Sequence, residues 1–213
     1  MIFRKLKYAK KINQEHRLLL RAALLNGQEA IEAWQNWCAS VDLEDIDSES
    51  YHLLSLLYQN LLTQQLDFPE MTRLKGVYRR SWYNNQLLIA QVKIILNHWQ
   101  EFGIKSILLR DTALAIHYYS DWGSRPIYSL DIFVYPQQAL AAIEKLKELG
   151  WSTQSKLPEK SIAAVQSIQF RDESKRLLNL HFYIQTRDLY NNFEEDSIKN
   201  LEPIKDDNLP GYI

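Results

Sequence analysis

The sequence predicts an α+β protein, an N-terminal helical bundle followed by a small domain built on a mixed sheet. Three observations carry that prediction. Between residues 14 and 100, apolar side chains recur at spacings of three and four, interrupted only by short breaks. From Ile104 onward the apolar runs become short, and several of them alternate, as strands require. One such run, residues 127–134, sets Asp131 among Leu130, Ile132, Phe133 and Val134, an acid inside a strand. The boundary is predicted near residue 101, with a helical region over 1–101, an α/β domain over 102–190 and a polar tail over 191–213.

Each element has its own signal. Leu18, Leu19, Ala22, Ala23 and Leu25 form one stripe, closed by Asn26-Gly27. Ile31, Trp34, Trp37 and Cys38 form the next, where Cys38 reads as a small apolar side chain. The acidic stretch DLEDIDSES, residues 42–50, precedes the run Leu53, Leu54, Leu56, Leu57 and Leu61. Asp47 or Ser48 is expected to cap that helix, with acids near its start favouring the helix dipole. The same stretch lacks the strand flanks and glycine turn of a metal loop. After the loop Asp67–Glu70, one long helix or two should bury Leu74, Val77, Tyr78, Trp82, Leu87, Leu88, Val92, Ile95, Leu96 and Trp99 and stop at Phe102-Gly103.

The second half reads as strand 107–109, helix 112–119, strand 127–134 and an amphipathic helix over 136–149 closed by Gly150. Ala139, Leu140, Ile143, Leu146 and Leu149 mark the apolar side of that helix. Strands over 163–170 and 177–184 follow, joined by the polar turn 171–175.

Bulk properties exclude several classes. The chain has 213 residues, 46% of them hydrophobic, enough for a real core. Lys and Arg number 25 and Asp and Glu 26, so the formal net charge is −1 and no global case for nucleic-acid binding follows. A single cysteine rules out an internal disulfide framework and fits a reducing compartment. No apolar run reaches the roughly 18 residues of a membrane span, and no signal peptide is convincing. A cytoplasmic location is therefore expected. Lys75, Arg79 and Arg80 make a local basic patch that reads as a solvated helix face. His16, His52, His98 and His117 lack zinc-ligand spacing, and there is no Walker loop, dinucleotide fingerprint or serine elbow.

Residues 107–134, ILLRDTALAIHYYSDWGSRPIYSLDIFV, are the most specific part of the chain. Ala113, Leu114, Ala115, Tyr119, Arg125, Pro126, Leu130, Asp131 and Val134 form a pattern that resembles a family of uncharacterised bacterial nucleotidyltransferase-like proteins. Their signature is an apolar strand, Lys-Gly, a short helix ending near Tyr, then Arg-Pro and an Asp-x-Asp strand. The run Leu53–Tyr58 looks like that family's leading helices. The resemblance implies a nucleotidyltransferase-like domain over 102–190 beside the helical bundle. Family members continue into further helices, so a chain ending at Gly211-Tyr212-Ile213 is expected to be a shortened member or part of a longer protein.

Nucleotidyl transfer needs magnesium ions held by carboxylates so that they bridge the attacking and leaving oxygens. Acids at i and i+2 of a strand share a face and can share ions. By the resemblance, Asp131 takes the place of the second metal-binding acid, Ser129 of the first and Asn179 of the third. His181 matches the family's His. Arg110 stands for its Lys, and Asp111 for a glycine beside the triphosphate, which a carboxylate would repel. Arg125 could meet phosphate oxygens bidentately; it could equally pair with Asp131 or Asp111. His181 reads as a hydrogen-bonded residue at a cleft edge or as a ligand or general base.

Replacement of the glycine and two of three acids together implies a family member with an eroded metal site. Such a protein would be a pseudoenzyme that binds a nucleotide or a protein or peptide partner, with Mg2+ held weakly at Asp131 if at all. One alternative is an active magnesium-dependent nucleotidyltransferase moving a nucleotide from an NTP to an unknown acceptor, with substitute ligands such as Asp111. A second is a helical protein-interaction module with the α/β part as scaffold.

Overall fold

The computed structural model describes residues 13–42, 45–119, 121–154 and 165–183. The chain divides into two compact units, Met1–Arg79 and Arg80–Ile213. The architecture is α+β, with six helices and a four-stranded mixed sheet among the described residues.

The first unit is helical: α1 (Gln14–Leu24), α2 (Gly27–Ser40), α3 (Ser48–Thr63) and the opening turns of α4 (Met71–Glu101). Caps set where two of them start. The Asn13 side chain accepts the His16 N–H at 2.7 Å, and Asp47 accepts that of Ser50 at 2.9 Å. The core collects Leu19, Trp34, Trp37, Leu57, Leu61 and Leu74, with the two indoles stacked at 5.4 Å. Asn60 donates to the carbonyls of Ala22 and Leu25, satisfying the end of α1 from α3. Cys38 is half-buried against this core, and burial, helped by the Glu70 charge, pushes its thiol up to about 12.

The second unit is a sheet covered by helices. Its strands are β1 (Ser106–Leu108), β2 (Ser129–Val134), β3 (Ser167–Arg171) and β4 (Leu177–His181), in the order β1-β2-β4-β3. β1 with β2 and β3 with β4 are antiparallel; β2 with β4 is parallel. Between β1 and β2 runs α5 (Arg110–His117), and after β2 a 3-10 turn leads into α6 (Ala139–Glu148). Alternation along the strands creates two unlike faces. Leu130, Ile132, Val134, Leu178, Leu180, Ile168 and Phe170 join one core with Leu88 to Trp99 of α4 and Ala142, Ile143 and Leu146 of α6. Ser129, Asp131, Asn179, His181 and Gln169 occupy the other face.

Two helices end in the same way. Gly103, at φ 66°, and Gly150, at φ 83°, take the left-handed conformation just past α4 and α6. Their N–H groups bond Gln100 and Lys147, and the next residues, Ile104 and Trp151, reach back to Trp99 and Leu146 at 3.0 Å. Both are Schellman closures, with a buried apolar pair sealing each.

Several sequence expectations need correction. Trp82 and Leu87, expected inside, are 44% and 39% exposed, and Leu140 is exposed as well. The inward stripe of α4 runs instead through Ser81, Asn85, Ile89, Val92, Leu96 and Trp99, and that of α6 through Ala139, Ala142, Ile143 and Leu146. Small and polar residues hold those inward positions, which a search for large apolar side chains passes over. Helix α5 starts at Arg110 rather than at residue 112, and β2 begins at Ser129 rather than at residue 127. β3 begins at Ser167 and β4 ends at His181, while the predicted strand positions 163, 164 and 184 and the tail 191–213 lie outside the described residues.

The two kinds of glycine predict opposite responses. Gly103→Ala forces a Cβ into the left-handed region and should lower stability by about 1 kcal/mol. Gly76→Ala, inside α4 with open space around the added carbon, should raise it by about 0.5–1 kcal/mol. Urea midpoints of the two variants against the parent protein check both signs.

Candidate functional site

Strand register builds the site. Asp131 on β2 lies opposite Asn179 on β4, which lies opposite Gln169 on β3, so one polar row crosses this face of the sheet. Two residues along, Phe133 pairs with His181. Asp131 is only 4% exposed, and an isolated carboxylate at that depth would be very costly.

The cost is offset by donors from both central strands. His181 Nε2 lies 2.8 Å from Asp131 Oδ1, and Asn179 Nδ2 donates to the same oxygen at 3.2 Å. Ser129 Oγ donates to Oδ2 at 2.9 Å and itself accepts from Asn179 at 3.2 Å. Gln169 donates to Asn179 Oδ1 at 3.2 Å, which fixes the amide with its nitrogen toward the carboxylate. Burial pushes the Asp131 carboxyl up, but the hydrogen bonds from His181, Ser129 and Asn179, with the His181 charge, hold it below the usual carboxylate range.

Helix α5 supplies the second layer. The Leu109 N–H donates to the Asp131 carbonyl at 2.8 Å, and the Thr112 hydroxyl bridges the Ser129 carbonyl and the Asp131 N–H, both at 3.3 Å. Arg110, the first residue of α5, has φ 53°, a left-handed conformation unusual for a side-chain-bearing residue. Its guanidinium lies 3.7 Å from Asp131 Oδ1 and is largely exposed. Asp111, next in the helix, forms a short ion pair with Arg125. Arg125 also lies over the Tyr119 ring, 5.9 Å from its centroid. Burial opposes the Arg125 charge, but Asp111 and Tyr119 raise its pKa above the ordinary arginine value.

All seven sequence-predicted site residues, Asp131, Ser129, Asn179, Arg110, Asp111, Arg125 and His181, thus fall in the second unit. The open choice for Arg125 resolves internally to Asp111, and Arg110 is the arginine that faces Asp131. Sequence reasoning missed Asn85. This fully buried side chain of α4 donates to the carbonyls of Trp122 and Arg125 and accepts the Ile127 N–H at 2.9 Å, so it holds the Arg125-Pro126 loop. A polar residue at an inward position of an otherwise apolar helix was its signal. Thr112 and Gln169 were also missed, because neither stands in a motif.

These side chains do not fit magnesium. The ion takes hard oxygen acceptors in an octahedron. Here one carboxylate is surrounded by N–H and O–H donors, and an arginine faces it. Acceptors are gathered elsewhere: His16, Asp47 and Glu49 of the first unit offer ligand atoms within 4.8 Å of one another. Asp47 already caps α3 there and bonds His16 at 3.2 Å, which explains the cluster without an ion. The basic residues Lys75, Arg79 and Arg80 lie exposed on α4. Among the described residues no helix is long and apolar enough to cross a membrane.

Two substitutions test this network. Asp131→Asn should cost about 1–3 kcal/mol at pH 7, because it removes an ionised acceptor from three donors. Since the folded pKa is lowered, that stability is present above the unfolded value near 4 and is lost as pH falls through the folded one. The gap between the two proteins in urea melts should therefore be full at pH 7 and shrink as the pH is lowered below about 4. Asn85→Leu strands three backbone groups and should cost about 3 kcal/mol, read by the same melts at neutral pH.

None of the curated proteins matches this chain. A family model described as uncharacterised nucleotidyltransferase matches residues 48–209. That span takes in α3, α4 and every strand and helix of the second unit, with the whole Asp131 network inside it. The chain belongs to this uncharacterised nucleotidyltransferase family.

Proposed function

We propose that this protein is a nucleotidyltransferase-family pseudoenzyme, which has kept the domain but lost magnesium-dependent transfer and acts by binding a nucleotide. The observation that carries this reading is the state of Asp131. Both of its carboxylate oxygens already accept protein donors, and two of those donors, Ser129 and Asn179, stand where the resemblance expects acids. A hydroxyl and an amide carry no negative charge to offset two divalent ions. Asp111 does not replace them, because its carboxylate is committed to Arg125.

What remains suits anion binding better than catalysis. Arg110 keeps most of its guanidinium in solvent beside the start of α5, whose first N–H groups have no intrahelical acceptors. Arg125 retains its charge and is paired with Asp111, the second residue of α5. Phosphate groups would find two guanidinium groups and a helix N-terminus there, but no metal-binding cage. The single cysteine and balanced charge fit a cytoplasmic setting for such a protein.

Titration calorimetry against the four nucleoside triphosphates, paired with an assay for transfer of labelled nucleotide, separates the readings. Expected are binding heat with at least one nucleotide, weakened about tenfold in Arg125→Ala by loss of a charge-assisted contact, and no transfer. Transfer of label to any acceptor that Asp131→Ala abolishes would restore the enzyme.

A further inference from the structure

The structure assigns Arg110 the place of the missing cation: its guanidinium is the resident counter-charge of Asp131, and the site takes the phosphate groups of its ligand without a divalent ion. This inference rests on the pseudoenzyme reading and deepens it by stating how the charge of the ligand is met.

Three observations converge on Arg110. The first is its distance. Its guanidinium nitrogen lies 3.7 Å from Asp131 Oδ1, beyond a hydrogen bond but within an ion pair. An ion binding that oxygen would meet this positive charge. The second is the polarity of everything else around the carboxylate. His181, Asn179 and Ser129 all turn donors toward it, so each would have to rotate or withdraw before a cation could take their place. Asn179 has the hardest turn to make, because Gln169 already bonds its oxygen.

The third observation is backbone strain. A left-handed φ of 53° is expensive for a residue with a Cβ, and glycine would take it freely. Such outliers persist where the surroundings hold them, and they gather at working sites. Here the left-handed turn directly follows Leu109, whose N–H is fixed to the Asp131 carbonyl, and it starts α5 with the Arg110 side chain beside the carboxylate. Glycine would relieve the strain and lose the charge.

The consequence for a ligand is direct. A guanidinium carries five N–H donors, and this one is 66% exposed, so most of them remain free to meet phosphate oxygens. A magnesium ion approaching with the same phosphate would be repelled by Arg110 and would find one usable carboxylate oxygen at most.

The test uses manganese as the metal, without nucleotide, followed by its paramagnetic resonance signal. Four proteins are compared: the parent, Asn179→Asp, Arg110→Gly and the double variant. The parent should leave manganese free. Asn179→Asp should bind it weakly, and adding Arg110→Gly should tighten binding at least about tenfold, because a like charge a few ångström from the ion is removed. Arg110→Asn, which tolerates the left-handed backbone, replaces the glycine variant should that one melt early. Manganese binding by the parent that Asp131→Ala abolishes, or equal affinity of Asn179→Asp with and without Arg110, would overturn the assignment.

A second arm titrates ATP and inorganic triphosphate into the parent protein in EDTA. Binding that survives EDTA and is lost in Arg110→Gly supports the metal-free site; binding that requires magnesium overturns it. If triphosphate binds as tightly as ATP, the ligand is recognised by its phosphates alone. Failure of both to bind would overturn the nucleotide reading and the ligand named here, while the manganese comparison would still decide the role of Arg110.

Discussion

A carboxylate buried in the middle of a sheet is the constraint around which the second unit is arranged. Asp131 sits on the central strand β2, whose other residues are almost all apolar and enclosed. Taking its charge out of water is tolerable only if nearly every lone pair finds a donor. The parallel pairing of β2 with β4 supplies two of them, since register sets Asn179 opposite and His181 two residues further on. A slip of one residue would turn Leu178 and Leu180 to that face and leave the acid without partners. The hydrophobic alternation of β4 and the polar needs of Asp131 therefore specify the same register.

The other elements extend this arrangement outward. Thr112 and Leu109 tie the start of α5 to the backbone on either side of Asp131, which places Arg110 and Asp111 at the edge of the network. Asn85 holds the loop that brings Arg125 to Asp111. Arg110 and His181 both lie beside Asp131, and Arg125 pairs with Asp111, so each acid of the cluster is matched by a basic group. Balance of that kind stabilises an unliganded domain. It also gives Ser129 and Asn179 a structural role, since each is a donor that Asp131 needs.

Much of this could be read from the sequence, for identifiable reasons. The helices of the first unit follow from three-four spacing, and Asp47 as a cap from its position before an apolar run. Strand β2 was legible as an apolar run holding one acid, and periodicity put Ser129 and Asp131 on one face; Asn179 and His181 were singled out by the family resemblance, not by their spacing. What stayed hidden depended on tertiary contacts. Trp82 looks like core by composition, but helical geometry turns it outward while Asn85 turns inward. The pairing of the two arginines with the two aspartates depends on where α5 starts, and that start, in a left-handed Arg110, breaks the rule that such positions belong to glycine. Asp47 caps α3 as its position before an apolar run suggests, and folding brings His16 beside it from a helix that no local pattern connects to it.

The step from fold to function then turns on electrostatics rather than on shape. The family to which the chain belongs suggests a nucleotide as ligand. A catalytic centre of this type must attract two divalent cations, which requires an excess of negative charge before the ligand arrives. The Asp131 face has no such excess: its acids are matched by arginines, and its neutral polar groups point donors at the carboxylate. An anion approaching it meets guanidinium groups already in place. A fixed guanidinium and a metal ion attract phosphate by the same force, because the attraction is Coulombic and does not depend on what carries the charge. By the same reasoning, acids placed at residues 129 and 179 would still share the face with the Arg110 guanidinium, 3.7 Å from Asp131.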